Sequence, residues 1–371
     1  MLIGIDGRPL VGPSAGSGRY VMELCKVLEQ VIPNAHFVIF SNAPITLPWK
    51  GPRWSVPKDF SALGAMLSPF EWYQLRAGRL AEQSGVDVFW GGANFLPLCL
   101  PRRIRAVMTV HDVVHRVYPQ SIGIKHRLAY HLFFRASLRR ADVVACNSEG
   151  TSARLRAFGY RSGDIIVKPA ASDRFTPPSA QDVGRMRERL GIRGRYLVSV
   201  STLEPRKNLD TLVEAYLEMR DEGELHDVSL VLVGQSGWKT GRLTAAVAKA
   251  GSDIARIHLT GYVPDELLPA LYAAAEAVVM PSIYEGFGMP VLEASLCGAR
   301  VVATDIPEIR EAGGEHVTYV QPSVDGIKAG VRAALQRTPI QVKRMDAPRW
   351  EIEGRKLANA LISAAMTESN A

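Results

Sequence analysis

An alternation that runs half the chain and then restarts is the feature that most constrains the fold. Short apolar, β-branched runs ("LIGID", "HFVIF", "VDVFW", "RAVMTV", "ADVVACNS", "DIIVKP") alternate with longer amphipathic stretches such as "GRYVMELCKVLEQV" and "RLAYHLFFRASLRR". Runs of this kind read as parallel strands covered on both faces, since a strand with one wet face would alternate polar and apolar residues. The stretches between them read as crossover helices. A polar segment with two prolines, "ASDRFTPPSAQD", then reads as a linker. After it come "RYLVSVS", "VSLVLVG", "RIHLTG", "AVVMPS" and "RVVATD", with helices over "NLDTLVEAYLEMR", "PDELLPALYAA" and "PVLEASLCG". The pattern predicts an α/β protein of two doubly wound, Rossmann-like halves. Ligands of such folds bind beyond the carboxyl ends of the strands, so the expected site is the cleft between the halves.

Length agrees, because 371 residues suit two domains of about 100–200 residues each. A 47% apolar and 22% charged composition is that of a globular chain, with disorder expected only at the polar end "TESNA". No apolar run reaches the roughly 18–20 residues of a membrane span. The start "MLIGIDGRPL" lacks the features of a secretory signal and reads as a first strand. Cys25, Cys99, Cys146 and Cys297 have no metal-ligand spacing and read as reduced core residues of a cytoplasmic protein. Net charge is +7, and Arg102–Arg161 alone carries twelve Lys/Arg against Asp112, Asp142 and Glu149. That surplus suits a membrane surface, a phosphorylated lipid or a nucleic acid, or else is a solvated face without a partner.

Three loops could carry chemistry. In "SVSTLEPRKN", Arg206 and Lys207 follow a strand directly, and Asn208 can cap the next helix. A guanidinium fork beside an ammonium suits a diphosphate. In "YEGFGMPVLEASLCG", Pro290 marks a helix start and Gly298 its end, giving a helix over about 290–297. Glu293 rides on that helix, while Glu285 precedes it in a glycine-rich loop, so the two carboxylates do not share a helix face. Both border a helix N-terminus, where N–H groups favour an anion. In the first half, "SAGSGRY" opens the first helix, and Gly16 and Gly18 let backbone pass close to a ligand. His111 stands just past the strand of "TVHDVVH". Asn147 and Ser148 end another strand, with Ser148 read as a helix cap. GxxxxGK[ST] and HExxH are absent, and no clustered aspartates suggest a divalent metal.

Taken together, "GSGRY", the strand-end "HD", "EPRKN", "GYV" and the E-x₇-E of "EGFGMPVLE" resemble the retaining nucleotide-sugar glycosyltransferases of family 4, within them the bacterial mannosyltransferases of O-antigen, capsule and exopolysaccharide assembly. The resemblance covers nearly the whole chain. It implies the GT-B fold, with a domain over 1–172, a donor domain over 185–349 and a last helix over 350–371 packing back on the first domain. It further implies that Arg206 and Lys207 hold the donor diphosphate, Glu293 the ribose hydroxyls and Glu285 the donor sugar. Backbone N–H groups of Gly286, Phe287 and Gly288 would contact sugar or phosphate, and Tyr262 and Val263 would flank the base. Gly16 and Gly18 would approach the phosphate or acceptor, and His111 the sugar. Glu285, His111, Arg206 and Lys207 are then the catalytic group. The implied donor is a nucleotide-sugar, GDP-mannose first and a UDP-sugar as the alternative. The implied acceptor is a glycan, free or polyprenyl-diphosphate-linked.

No metal or other cofactor is expected, and the front-face mechanism usual for the family needs no protein nucleophile. The basic helix "GIKHRLAYHLFFRASLRR", with Lys125, Arg127, Arg135, Arg139 and Arg140, would meet anionic lipid at the inner face of the cytoplasmic membrane, and no nucleic-acid module is recognisable. Two rivals stand against this. A nucleotide-sugar epimerase would need acid and base residues that cannot be placed, and a non-catalytic binder would not need Glu285, Arg206 and Lys207 together.

Overall fold

The computed structural model describes residues 1–12, 16–45, 47, 51–59, 61, 64, 66–338 and 346–367. Ser14 and Ala15 of the "SAGSGRY" loop, and the tail beyond Thr367 where disorder is expected, lie outside the described residues. The chain forms two compact units. The first comprises Met1–Arg116, Ile122–Pro169 and Pro348–Ala371, and the second Val117–Ser121 and Ala170–Ala347.

Unit 1 is built on β1 (Leu2–Asp6), β2 (His36–Phe40), β3 (Trp54–Ser55), β4 (Val88–Gly91), β5 (Arg105–Val110), β6 (Val143–Cys146) and β7 (Ile165–Ile166). All pairings are parallel, in the order β3-β2-β1-β4-β5-β6-β7. The chain winds outward from β1 and then returns to its other side, so β1 and β4 flank the switch point where such sheets bind ligands. The helix Trp350–Met366 belongs to this unit. It crosses the helix Ser17–Val31 so closely that a Cβ on Gly354 would stand 2.4 Å from Val27, and Trp350 meets Tyr20 edge-on at 5.9 Å.

Unit 2 holds β8 (Arg195–Val200), β9 (Val228–Val233), β10 (Ile257–Gly261), β11 (Ala277–Met280), β12 (Val301–Thr304) and β13 (Thr318–Val320), all parallel in the order β10-β9-β8-β11-β12-β13. Its strands are covered on both faces. Tyr196, Val198, Val231, Val278 and Met280 enter one core, while their neighbours Leu197, Leu230, Leu232, Ala277 and Val279 enter the other. The switch point lies between β8 and β11. The segment read as a linker is part of this unit: Ala171 and Phe175 are buried in its core, and Ser179 caps the helix Ala180–Leu190 with a capping box.

Cys25, Cys146 and Cys297 are buried thiols, but Cys99 is only half-buried, because it lies in the irregular stretch between β4 and β5. Ser148 caps the helix Glu149–Ala157 by accepting from the Thr151 N–H at 2.9 Å. Among the described residues no helix is long and apolar enough to cross a membrane.

Candidate functional site

In unit 2, the loops leaving β8 and β11 flank the switch point and are tied together. The Ile283 N–H donates to the Arg206 carbonyl at 2.9 Å. Arg206 and Lys207 lie in a short 3₁₀ turn, Pro205–Lys207. The chain then reverses through Asn208 at φ +56° into the helix Leu209–Asp221. Asn208 does not cap that helix with its side chain. Its amide donates instead to the Pro322 carbonyl, and its oxygen accepts from the Thr211 hydroxyl. The Asn208 oxygen is thus taken by a first-turn hydroxyl and not by a helix N–H.

The two cations converge on one carboxylate. Lys207 Nζ donates to Glu285 Oε1 at 2.6 Å, Arg206 Nη1 to Oε2 at 2.8 Å, and Ser282 Oγ to Oε1 at 2.7 Å. Glu204 holds the other edge of the guanidinium, accepting from Nε at 3.1 Å and Nη2 at 2.7 Å, and the Tyr284 carbonyl accepts from Nη1. Lys207, Glu204, Glu285 and Ser282 are all buried. Burial would raise the Glu285 pKa, but Lys207 and then Arg206 reverse this and hold it at about 2, so the group is ionised at neutral pH. Burial and Arg206 lower the Lys207 pKa, and Glu285 offsets part of that. The geometry pairs the Lys207 ammonium with the Glu285 carboxylate at 2.6 Å.

Glu204 and Ser282 were not singled out from sequence. The available signals were an acid just before the "PRK" turn and a hydroxyl three residues before Glu285. Neither signal distinguishes a partner from a solvated side chain until the two loops are brought together.

The following helix runs over Met289–Leu296, starting one residue earlier than Pro290 suggests, because Gly288 turns the chain at φ +107°. Glu293 is on it and buried, and accepts from the Tyr272 hydroxyl at 3.2 Å. Its hydrogen bond goes to Tyr272, whereas Glu285 is held by Arg206, Lys207 and Ser282. Phe287 and Val263 are core residues by side chain, which leaves only their backbone to meet a ligand, whereas Tyr262 is 59% exposed just past β10.

In unit 1, Gly16 stands at φ +55° at the start of the helix Ser17–Val31, and Gly18 is buried within it. Tyr20 of the same helix packs edge-on against His111 at 4.9 Å, which brings this helix start and the end of β5 together. Burial lowers the His111 pKa, with hydrogen bonding to Gly92 and the nearby Asp112 partly offsetting it. Along the basic helix, Ile124, Leu128 and Leu132 point outward with Lys125, Arg127, Arg135 and Arg139, while Phe134 and Leu138 turn into the core. Arg140 departs from expectation, because its guanidinium donates to the Pro101 and Ile104 carbonyls and pairs with Asp142. It closes the end of unit 1 and is not on offer to a lipid.

Sequence models for "Glycosyltransferase Family 4" and "Glycosyl transferases group 1" match residues 14–173 and 194–337. The O-antigen chain mannosyltransferase B of Escherichia coli is 32% identical, covering 88% of this chain and 89% of its own length. This chain belongs to the family 4 glycosyltransferases. The GDP-mannose-dependent alpha-(1-6)-phosphatidylinositol monomannoside mannosyltransferase of Mycolicibacterium smegmatis is 31% identical over 77% of this chain and 79% of its own. The sucrose-phosphate synthase of Thermosynechococcus elongatus shares the GT-B fold, with a TM-score of 0.71 at 19% identity over 98% of this chain and 96% of its own.

For a glycosyltransferase, the Arg206–Lys207–Glu285 cluster is chemically apt. A buried ammonium and a half-buried guanidinium stand side by side, with a low-pKa carboxylate within reach of both. Lys207 has three N–H groups and gives one to Glu285.

Proposed function

We propose that this glycosyltransferase moves a mannosyl residue from GDP-mannose, with retention of anomeric configuration, onto a lipid-linked or polysaccharide glycan acceptor. The observation that carries the reading is the cluster of half-buried Arg206 with buried Lys207 and Glu285 at the unit 2 switch point, a setting for a nucleotide diphosphate and its sugar. The mannosyl donor is supported by the relatives named above. Retention follows the resemblance to family 4, and the state of Glu285 favours a front-face route to it over a double displacement. Its two oxygens accept from three donors, and a carboxylate so occupied is a weak nucleophile. Departure of the diphosphate from the face the acceptor attacks then needs no covalent intermediate.

Thermal unfolding with GDP, UDP, ADP and dTDP tests the donor. GDP alone is expected to raise the Tm, by stabilisation of about 2.7 kcal/mol at a hundredfold excess over Kd. A shift with UDP alone would overturn the mannosyl reading.

The proposal extends to the inner face of the cytoplasmic membrane. Ile124 (82% exposed), Leu128 and Leu132 recur every four residues beside Lys125, Arg127, Arg135 and Arg139. Such a face sits at a headgroup boundary, with each basic residue contributing about 1 kcal/mol near anionic lipid. The protein is expected to co-sediment with phosphatidylglycerol vesicles, and Leu128→Glu with Leu132→Glu to abolish this. Equal binding to neutral phosphatidylcholine vesicles, or none to either, would refute it.

A further inference from the structure

A loop in unit 1 that none of the sequence motifs includes grips His111 from two sides. β4 ends in "GGANF", and the chain there is too tight for side chains at its first two positions. A Cβ on Gly91 would stand 2.6 Å from the Phe95 carbonyl oxygen, and one on Gly92 would stand 2.7 Å from Val21. Asn94 follows at φ +59°, a left-handed conformation that asparagine tolerates better than most residues. It is 9% exposed, and its N–H, side-chain oxygen and side-chain amide are all engaged. Its N–H donates to the Thr109 carbonyl at 2.9 Å. Its side-chain oxygen accepts from the His111 N–H at 2.7 Å, and its amide donates to the Tyr130 hydroxyl at 2.8 Å.

Two residues back, the Gly92 carbonyl lies 2.7 Å from His111 Nε2. A carbonyl oxygen can only accept, so Nε2 carries the proton and the neutral ring keeps its lone pair on Nδ1. Tyr20, edge-on at 4.9 Å, restricts rotation of the ring.

We propose that Asn94 is a positioning residue for sugar transfer: by clamping the His111 backbone and holding the Gly92 carbonyl against Nε2, it presents Nδ1 as a fixed hydrogen-bond acceptor to a hydroxyl of the bound sugar. This rests on the reading of His111 as a sugar contact. Asn94 itself touches no substrate in this scheme.

Asn94→Gly keeps the left-handed backbone and removes only the side-chain clamp. It is expected to lower kcat about 10- to 100-fold with little change in KM for the nucleotide-sugar, as for a misplaced catalytic contact. Asn94→Asp, which can accept from both the His111 N–H and the Tyr130 hydroxyl, is expected to restore most of the rate. In ¹⁵N NMR, the His111 ring of the wild type is expected as the single Nε2–H tautomer, and that of Asn94→Gly as a mixture. Added to His111→Ala, Asn94→Gly is expected to cost nothing more, as for residues acting through one group. Wild-type kcat in Asn94→Gly beside a crippled His111→Ala would overturn the proposal and leave the role of His111 standing. An active His111→Ala would overturn both. If Asn94→Gly does not fold, Asn94→Asp decides: a rate near wild type with the tautomer kept supports the clamp, and a tenfold loss with the tautomer kept refutes it.

Discussion

Glu285→Gln is expected to cut sugar transfer at least about 100-fold, equivalent to about 2.7 kcal/mol of transition-state stabilisation. Glutamine has the shape of glutamate without its charge. In the proposed mechanism the sugar gains positive charge as the diphosphate leaves, and an ionised Glu285 opposes that charge where glutamine cannot. The same change leaves Arg206 and Lys207 with less compensation, so the field at the loop becomes more positive. GDP is therefore expected to bind the variant at least as tightly as the wild type. Near-normal turnover would remove Glu285 from the site, and a parallel loss of nucleotide affinity would recast it as a purely structural partner.

The pKa of Glu285 adds a control. Because it is lowered in the folded state to about 2, its contribution to stability is complete above the ordinary carboxylate range and fades as pH falls toward about 2. Glu285→Gln is expected to lack that part of the wild type's acid sensitivity. Identical acid unfolding of the two proteins would mean that the carboxylate is not held as the geometry requires.

Most of this site was legible because its residues are punctuated by strands. "SVSTLEPRKN" and "AVVMPSIYEGFGMP" each begin with a run that only a buried strand explains, so the loop that follows must lie at a carboxyl end. Strand order is a different matter, since nothing local says that β8 and β11 are neighbours. The convergence of Arg206, Lys207 and Ser282 on Glu285 is a consequence of that pairing and was not accessible beforehand. The short edge strands β3 and β13 escaped because "WS" and "TYV" are not β-branched apolar runs, whereas the equally short β7 sits in the apolar run of "DIIVKP". Asn208 was misread because cap preferences assume an extended residue before the helix, and here tertiary contacts hold it left-handed. Asn94 carried no signal, as its importance lies in what its side chain joins.

Lys207→Ala is the second large effect expected, also at least about 100-fold, but with the opposite signature in nucleotide binding. Removing one preorganised donor from developing charge typically costs about 10²–10³ in rate. Here the donor is a buried ammonium 2.6 Å from Glu285. Without it, Glu285 retains Arg206 and Ser282, its pKa rises from about 2, and the loop loses half its positive charge. GDP affinity is therefore expected to fall in Lys207→Ala, where Glu285→Gln preserves it. Breaking a buried pair also costs stability, about 3–5 kcal/mol when one charge is left uncompensated. Rates must then be compared per folded molecule, below the lowered Tm.

If Lys207 and Arg206 neutralise the departing diphosphate, wild-type transfer is expected to continue in excess EDTA. A strict requirement for a divalent ion would move that task to a metal. Near-normal transfer by folded Lys207→Ala would show that Arg206 alone suffices, and the pairing of the two cations around Glu285 would then be a matter of folding.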